Sequence, residues 1–224
     1  MTLSEQVYQD LRRDIVSGVL EPRLPLRLDR LKTRYGVGFS PLREALSRLQ
    51  SERLVDAVAL RGFTVAPMSI DKMWDAINTR LLIETDALRR AIDKGDDRWE
   101  ATLVAAMHAL SLQYRRLPDG PLKEPQTEAL RQRHQEFHAA LISACGSDWL
   151  LDFAEKLTLA TERYRHTTMH RLIPEQRRDL DAEHRALMEA AVARDADRAC
   201  GLLTEHYTLT GRHMAAQFGT GQAG

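Results

Sequence analysis

Two histidines stand four residues apart in the stretch Arg133-His134-Gln135-Glu136-Phe137-His138, in a chain that has only 8 histidines among its 224 residues. On a helix a step of four turns the side chain by about 40° around the axis and advances it by about one turn, so both imidazoles face one point. Imidazole nitrogen ligates zinc, nickel, copper or iron, and two such nitrogens are half of a tetrahedral site. The pair alone decides nothing, because an isolated HxxxH is more often ordinary helix surface. Hydrolysis fails on spacing. A zinc protease has glutamate directly after the first histidine, whereas Gln135 stands there and Glu136 projects about 200° away from His134. The chain has no G-x-S-x-G elbow, no P-loop and no cysteine beside a histidine, so no catalytic residue is assigned. His166 and His170 repeat the four-residue spacing without matching partners and are expected to be exposed. His108 belongs to no constellation and is expected to be a satisfied structural histidine.

A second chemistry is carried by arginines nearer the N-terminus. Ser40 suits an N-cap and Pro41 a first helical position, and Leu42, Ala45, Leu46 and Leu49 then recur on one helical face. Arg43 falls in the first turn and off that face. There a guanidinium donates two parallel hydrogen bonds to guanine O6 and N7, or clamps a phosphate. Ser40, Ser47 and Arg48 lie on accessible flanks of the same helix. Arg30 and Arg34 on the preceding helix are placed for phosphates, and Arg61 with Gly62 for the minor groove or the backbone.

The elements that must position these groups follow from periodicity. Val7, Leu11 and Ile15 predict a helix stopped at Gly18, and Leu28, Leu31 and Tyr35 a second one stopped at Gly36. The helix after Ser40 is the third. "LVDAVALRGFTVAP" then alternates apolar and polar residues around Arg61-Gly62, the pattern of a small hairpin. Helix, helix, glycine turn, helix and hairpin make a winged helix-turn-helix over residues 1–68, with one face of the third helix free to enter a major groove. From Ser69 strand signals vanish. A long amphipathic helix carries Met73, Ile77, Leu81 and Leu88, and breakers at "KGDD", "LPDGPLKEP", "CGSD", "LIPEQ" and "RDAD" divide the rest into further helices. Residues 69–218 are therefore expected to form an all-α bundle of about six helices, with 219–224 a frayed tail.

Composition narrows the class. Cys145 and Cys200 are isolated and suit a reducing cytoplasm, and no apolar run approaches the roughly 18 residues of a membrane span. Net charge is zero, but residues 1–68 carry 11 Lys+Arg against 8 Asp+Glu and the remainder 21 against 24, which directs an anionic partner to the N-terminal third.

These residues also carry a family pattern. Pro41-Leu42-Arg43-Glu44-Ala45-Leu46, followed by Leu54-Val55 and the wing Arg61-Gly62-Phe63, resembles the DNA-binding domain of the GntR family of bacterial regulators. Arg80 with Glu84, "FHAALISACGS", "EHRALMEAAVARDADRA" and the late His206 resemble its helical effector domain, called FCD. Within that branch, "GVGFSPLREALSRLQSERLV" and "RHQEFHAALISACGSDWLL" look like the glutarate-type carbon-starvation repressors. The resemblance covers residues 4 to 215.

The resemblance implies a cytoplasmic, ligand-responsive transcriptional repressor, a homodimer that binds palindromic operator DNA. It adds His184 and His206 to His134 and His138 as ligands of a divalent transition metal, zinc first, with nickel or iron as alternatives; His213 is a reserve ligand. It places a small carboxylate effector, such as the dicarboxylate glutarate, at Arg80, with Arg163 and Tyr164 as second-tier contacts. Two departures stand out. His134 occupies the position of a family aspartate, which removes a negative charge and leaves two roles open, fourth ligand or direct effector contact. Phe39 occupies the position of an arginine before the recognition helix, so the family's usual operator is not carried over. The alternative is a metal-dependent helical enzyme acting on a small organic acid.

Overall fold

Val7, Leu11 and Ile15 line the buried face of α1 (Leu3–Val16), whose first turn is capped by the Thr2 side chain accepting from the Glu5 amide. In this computed structural model residues 2–58, 62–118, 124–169 and 178–220 are described. Arg61 and His170 lie outside the described residues. After α1 come β1 (Pro25–Leu26), α2 (Leu28–Tyr35), α3 (Phe39–Ser51), β2 (Val55–Val58) and β3 (Gly62–Val65). The winged helix-turn-helix read from the sequence is present, with one addition. The segment between the first two helices, which carries Pro22 and Pro25, contributes β1, which pairs antiparallel with β3, so the wing is a three-stranded sheet in the order β1-β3-β2. Two residues of strand leave no alternation to read.

The start of α3 differs from expectation. Gly38, not Ser40, is the N-cap, with extended backbone (φ −76°, ψ 173°), and Phe39 is the first helical residue. Pro41 is accommodated at the third position because the amides of the first turn have no intrahelical acceptor to lose. Gly36 closes α2 in the left-handed region at φ 66°, where the absence of Cβ removes the steric penalty.

Two compact units divide the chain: Met1–Met73 with Leu159–Thr167, and Trp74–Thr158 with Thr168–Gly224. Leu11, Leu42, Leu46, Leu49, Leu54 and Val65 make the core of the first, and Leu159 packs with them. In that unit Arg163 Nη2 donates to the Ala66 carbonyl at 2.8 Å and the Tyr164 hydroxyl accepts from the Ser69 amide at 3.3 Å.

The second unit is helical among its described residues. Its elements are α4 (Ile70–Lys94), α5 (Asp97–Arg115), α6 (Glu124–Ile142), α7 (Asp148–Met169), α8 (Leu180–Val192) and α9 (Ala196–Thr220), of which α4 and α7 also lend residues to the first unit. Helix α5 packs on α6 and α8, and α8 on α9. Leu88, Leu103, Met107, Leu110, Leu130, Phe137, Leu187 and Leu203 are buried to within a few per cent. Helix α9 approaches α4 closely at Gly211, where an added Cβ would stand 2.7 Å from the Trp74 ring and 2.8 Å from Ile77 Cδ1. Gly211→Ala is therefore expected to lower the stability of the bundle by about 1–3 kcal/mol, the usual cost of overpacking, as a reduced midpoint of chemical denaturation. No helix among the described residues is long and apolar enough to cross a membrane.

Candidate metal centre and DNA-reading face

Four helical side chains converge inside the second unit. His134 and His138 come from α6, His184 from α8 and His206 from α9; all four are buried, and one nitrogen of each lies within 4.8 Å of the others. His138 Nε2 stands 3.2 Å from His134 Nε2 and 3.3 Å from His184 Nε2. The opposite ring nitrogens are oriented. His184 Nδ1 donates to the Leu180 carbonyl at 2.5 Å, and His206 Nδ1 to Glu183 Oε2 at 2.8 Å. His138 Nδ1 lies 3.0 Å from the Tyr207 hydroxyl, which itself donates to Glu84 Oε2 at 2.5 Å. Since that hydroxyl proton is committed to Glu84, the Tyr207 oxygen accepts from His138 Nδ1.

With protons held on the three Nδ1 atoms, the Nε2 atoms of His138, His184 and His206 present lone pairs to one small volume. Lone pairs directed at one another repel, and a cation between them removes the repulsion. An imidazole whose far nitrogen is held by a carbonyl or carboxylate is also the usual arrangement around a transition metal. For ligands at about 2.0–2.1 Å, tetrahedral geometry separates nitrogens by about 3.3–3.4 Å, close to the spacings of His138 from His134 and His184. The residues present fit a metal ion.

The surroundings reinforce the orientation. Glu183 is held by Arg178, which also donates to Thr210 Oγ1 at 3.0 Å. Burial raises the Glu183 pKa, but the hydrogen bonds from His206 and Arg178 outweigh it and keep the carboxyl below its ordinary value. Burial depresses the His206 pKa, which favours the neutral ring that a metal requires, although Glu183 opposes the shift. Arg80 on α4 pairs with Glu84 one turn later, and its guanidinium lies 4.2 Å from the centre of the Tyr207 ring. Arg80, Glu84, Tyr207 and His138 thus form one buried chain of contacts.

Several expected assignments change. Arg163 and Tyr164 each bond to a backbone group of the first unit, and burial lowers the Arg163 pKa. His166 is buried, not exposed, because this part of α7 packs into the first unit. His108 is exposed on α5 rather than held as a structural histidine. His213 stands outside the four-histidine group and Cys145 and Cys200 are buried and free. Glu183, Arg178 and Tyr207 were not found from the sequence; the only signals were adjacency to His184 and His206 and an arginine ahead of α8.

On the first unit, Leu42, Ala45, Leu46 and Leu49 turn inward and Ser40, Arg43 and Ser47 are exposed. Arg30 is exposed on α2, and Gly62 opens β3 with φ 87°. Arg48 is not free on its flank. Its guanidinium lies 3.7 Å from the Tyr8 ring centre and 2.6 Å from Glu5, so it fastens α3 to α1. Arg34 pairs with Asp14 at 2.7 Å, and the Tyr35 hydroxyl donates to the same carboxylate. These two arginines brace the unit, which leaves Arg43 as the foremost cation on the outer face of α3.

The fold has counterparts among known proteins. The family described as "Bacterial regulatory proteins, gntR family" matches residues 3–65, and the FCD domain matches residues 75–209. The chain belongs to the GntR family. It is 43% identical over 208 residues to the HTH-type transcriptional regulator BphR of Paraburkholderia xenovorans, covering 92% of this chain and 82% of that protein. It is 37% identical over 201 residues to the HTH-type transcriptional repressor GlaR of Escherichia coli, covering 89% and 90%. Among solved structures, E. coli McbR/YncC has the same fold, with a TM-score of 0.78 at 20% identity over 97% of this chain and 99% of that one. This GntR protein is a DNA-binding transcriptional regulator with an FCD effector domain; the enzyme alternative has no support among its relatives. Regulators of this family bind operator DNA and typically act as dimers with small-molecule effectors.

Proposed function

We propose that this regulator is a homodimeric repressor whose grip on a palindromic operator is set by a small carboxylate, glutarate being the first candidate, bound beside a zinc ion. The observation that carries the reading is the convergence of four buried histidines next to the Arg80, Glu84 and Tyr207 chain. His134, His138, His184 and His206 would hold the metal, which supplies a cationic centre to an anionic ligand. An all-imidazole donor set favours zinc, with nickel or iron next, over the harder manganese and magnesium.

Arg80 provides the second charge. A buried guanidinium is tolerated only with an anion, and here Glu84 fills that role. A carboxylate effector that takes hydrogen bonds from Arg80 competes with Glu84, and Glu84 in turn holds the Tyr207 hydroxyl that His138 touches. The effector is thereby sensed on α4 and α9 together. It favours one arrangement of the bundle by its differential affinity, and a two-fold dimer converts that preference into better or worse spacing for two half-sites. Arg43, with Ser40, Ser47 and Arg30, would make the operator contacts, and Gly62 would let the wing backbone approach the duplex.

The reading is tested by fluorescence anisotropy on a duplex selected from a random pool by the full-length, metal-replete protein. Titration with glutarate and other three- to six-carbon acids should shift operator affinity in a saturable way for at least one dicarboxylate, and Arg80→Ala should abolish the shift while leaving operator binding. Affinity unmoved by every acid would overturn the carboxylate assignment.

A further inference from the structure

The first residue of α3 is apolar. Phe39 opens α3 directly after the Gly38 N-cap and is 43% exposed. The inward positions of the helix are Leu42, Ala45, Leu46 and Leu49, so Phe39 is not a member of the core stripe. It lies one turn before Arg43 and about 40° from it around the axis, which sets the ring and the guanidinium side by side on the same edge of the helix. The Lys32 ammonium on α2 sits 5.0 Å from the centre of the ring. That contact gives the ring a preferred seat without covering it, and it adds a positive charge beside an apolar group.

An exposed aromatic ring with a cation seated on it and Arg43 one turn further along the helix is poorly suited to solvent and well suited to the major groove. The charges face phosphates, and an apolar group between them meets the one apolar feature of the groove, the 5-methyl group of thymine. The N-terminal turn of a helix in this fold is the part that reaches base edges. We propose that Phe39 is a specificity determinant: it reads a thymine methyl in each operator half-site, next to the base contacted by Arg43, while Lys32 holds the adjacent backbone. The proposal rests on α3 being the helix that reads the operator. It turns the replacement of the family's arginine into a change of code, from a hydrogen-bonded base to a methyl-bearing one.

The experiment uses full-length wild-type protein, Phe39→Ala, Phe39→Arg and Arg43→Ala, each checked for an unchanged thermal melt. Duplexes are selected from a random pool with each protein, and every thymine of the wild-type consensus is then replaced in turn by deoxyuridine, which lacks only the methyl. The wild type should bind about three- to fivefold more weakly when one particular thymine in each half-site loses its methyl, the scale of one apolar carbon. Phe39→Ala should bind the thymine and uracil duplexes alike, and Phe39→Arg should select a different base at that position. If Arg43→Ala changes the selected sequence but the thymine to uracil ratio is the same with and without the Phe39 ring, the proposal is overturned and α3 remains the reading helix. If neither Arg43→Ala nor Phe39→Ala changes the selection, the assignment of α3 falls and the proposal with it.

Discussion

Replacing His138 by alanine is expected to abolish binding at the proposed metal centre, so that elemental analysis of gently purified protein falls from about one equivalent of transition metal in the wild type to near zero. His138 is central to the cluster: its Nε2 is within 3.3 Å of both His134 and His184, and its Nδ1 is seated on Tyr207. Loss of a group that only orients a ligand typically costs about 10–100-fold in metal affinity, and loss of the ligand itself costs more. A metal that binds only the native state stabilises it by mass action, so chelation should lower the melting temperature of the wild type and leave that of His138→Ala unchanged. His134→Ala is the informative companion. Equal loss of metal makes His134 a fourth ligand. Retained metal with a weakened response to carboxylate makes it an effector contact instead, and either outcome leaves the role of His138 intact. Wild-type protein that takes up no transition metal would remove the basis of the centre.

Much of this arrangement was legible in the sequence, and the parts that were not share a physical cause. Helices α1 and α2 and the hairpin declare themselves because their signals are local: apolar steps of four, a glycine in the left-handed region, alternation around Arg61-Gly62. The pair His134 and His138 is equally local. His184 and His206 entered only through family resemblance, since nothing in spacing reveals that α8 and α9 deliver a side chain to the same point as α6. The contacts of Tyr207 span 69 residues to His138 and 123 to Glu84, beyond any periodicity argument. The start of α3 was misplaced by two residues because Ser40-Pro41 is a strong local cap signal, whereas Gly38 caps without a side-chain hydrogen bond. Arg48 is exposed as expected, but its partners are not legible from α3 alone. Exposure on one helix can be judged from that helix, but the partner that claims the exposed group, here Tyr8 and Glu5 of α1, cannot.

Arg43 is exposed on the outer face of the first turns of α3, beside Ser40 and Ser47. A guanidinium there that reads guanine through two parallel hydrogen bonds is worth about 1–3 kcal/mol of discrimination, so Arg43→Ala should weaken binding to the selected operator by roughly tenfold to a hundredfold. Binding to random duplex should fall far less, because the sequence-independent part of affinity comes from phosphate contacts elsewhere. Measured over a range of salt, a base contact leaves the slope of log affinity against log salt nearly unchanged, whereas a phosphate contact lowers it by about one. Arg48→Ala is the control of opposite character. Its charge is engaged with Glu5 and its plane with Tyr8, so its removal should loosen the packing of α1 on α3 and lower thermal stability with little change in sequence preference. Equal losses on operator and random duplex for Arg43→Ala would move Arg43 from the bases to the backbone, and no loss on either would take the DNA-reading face away from this edge of α3.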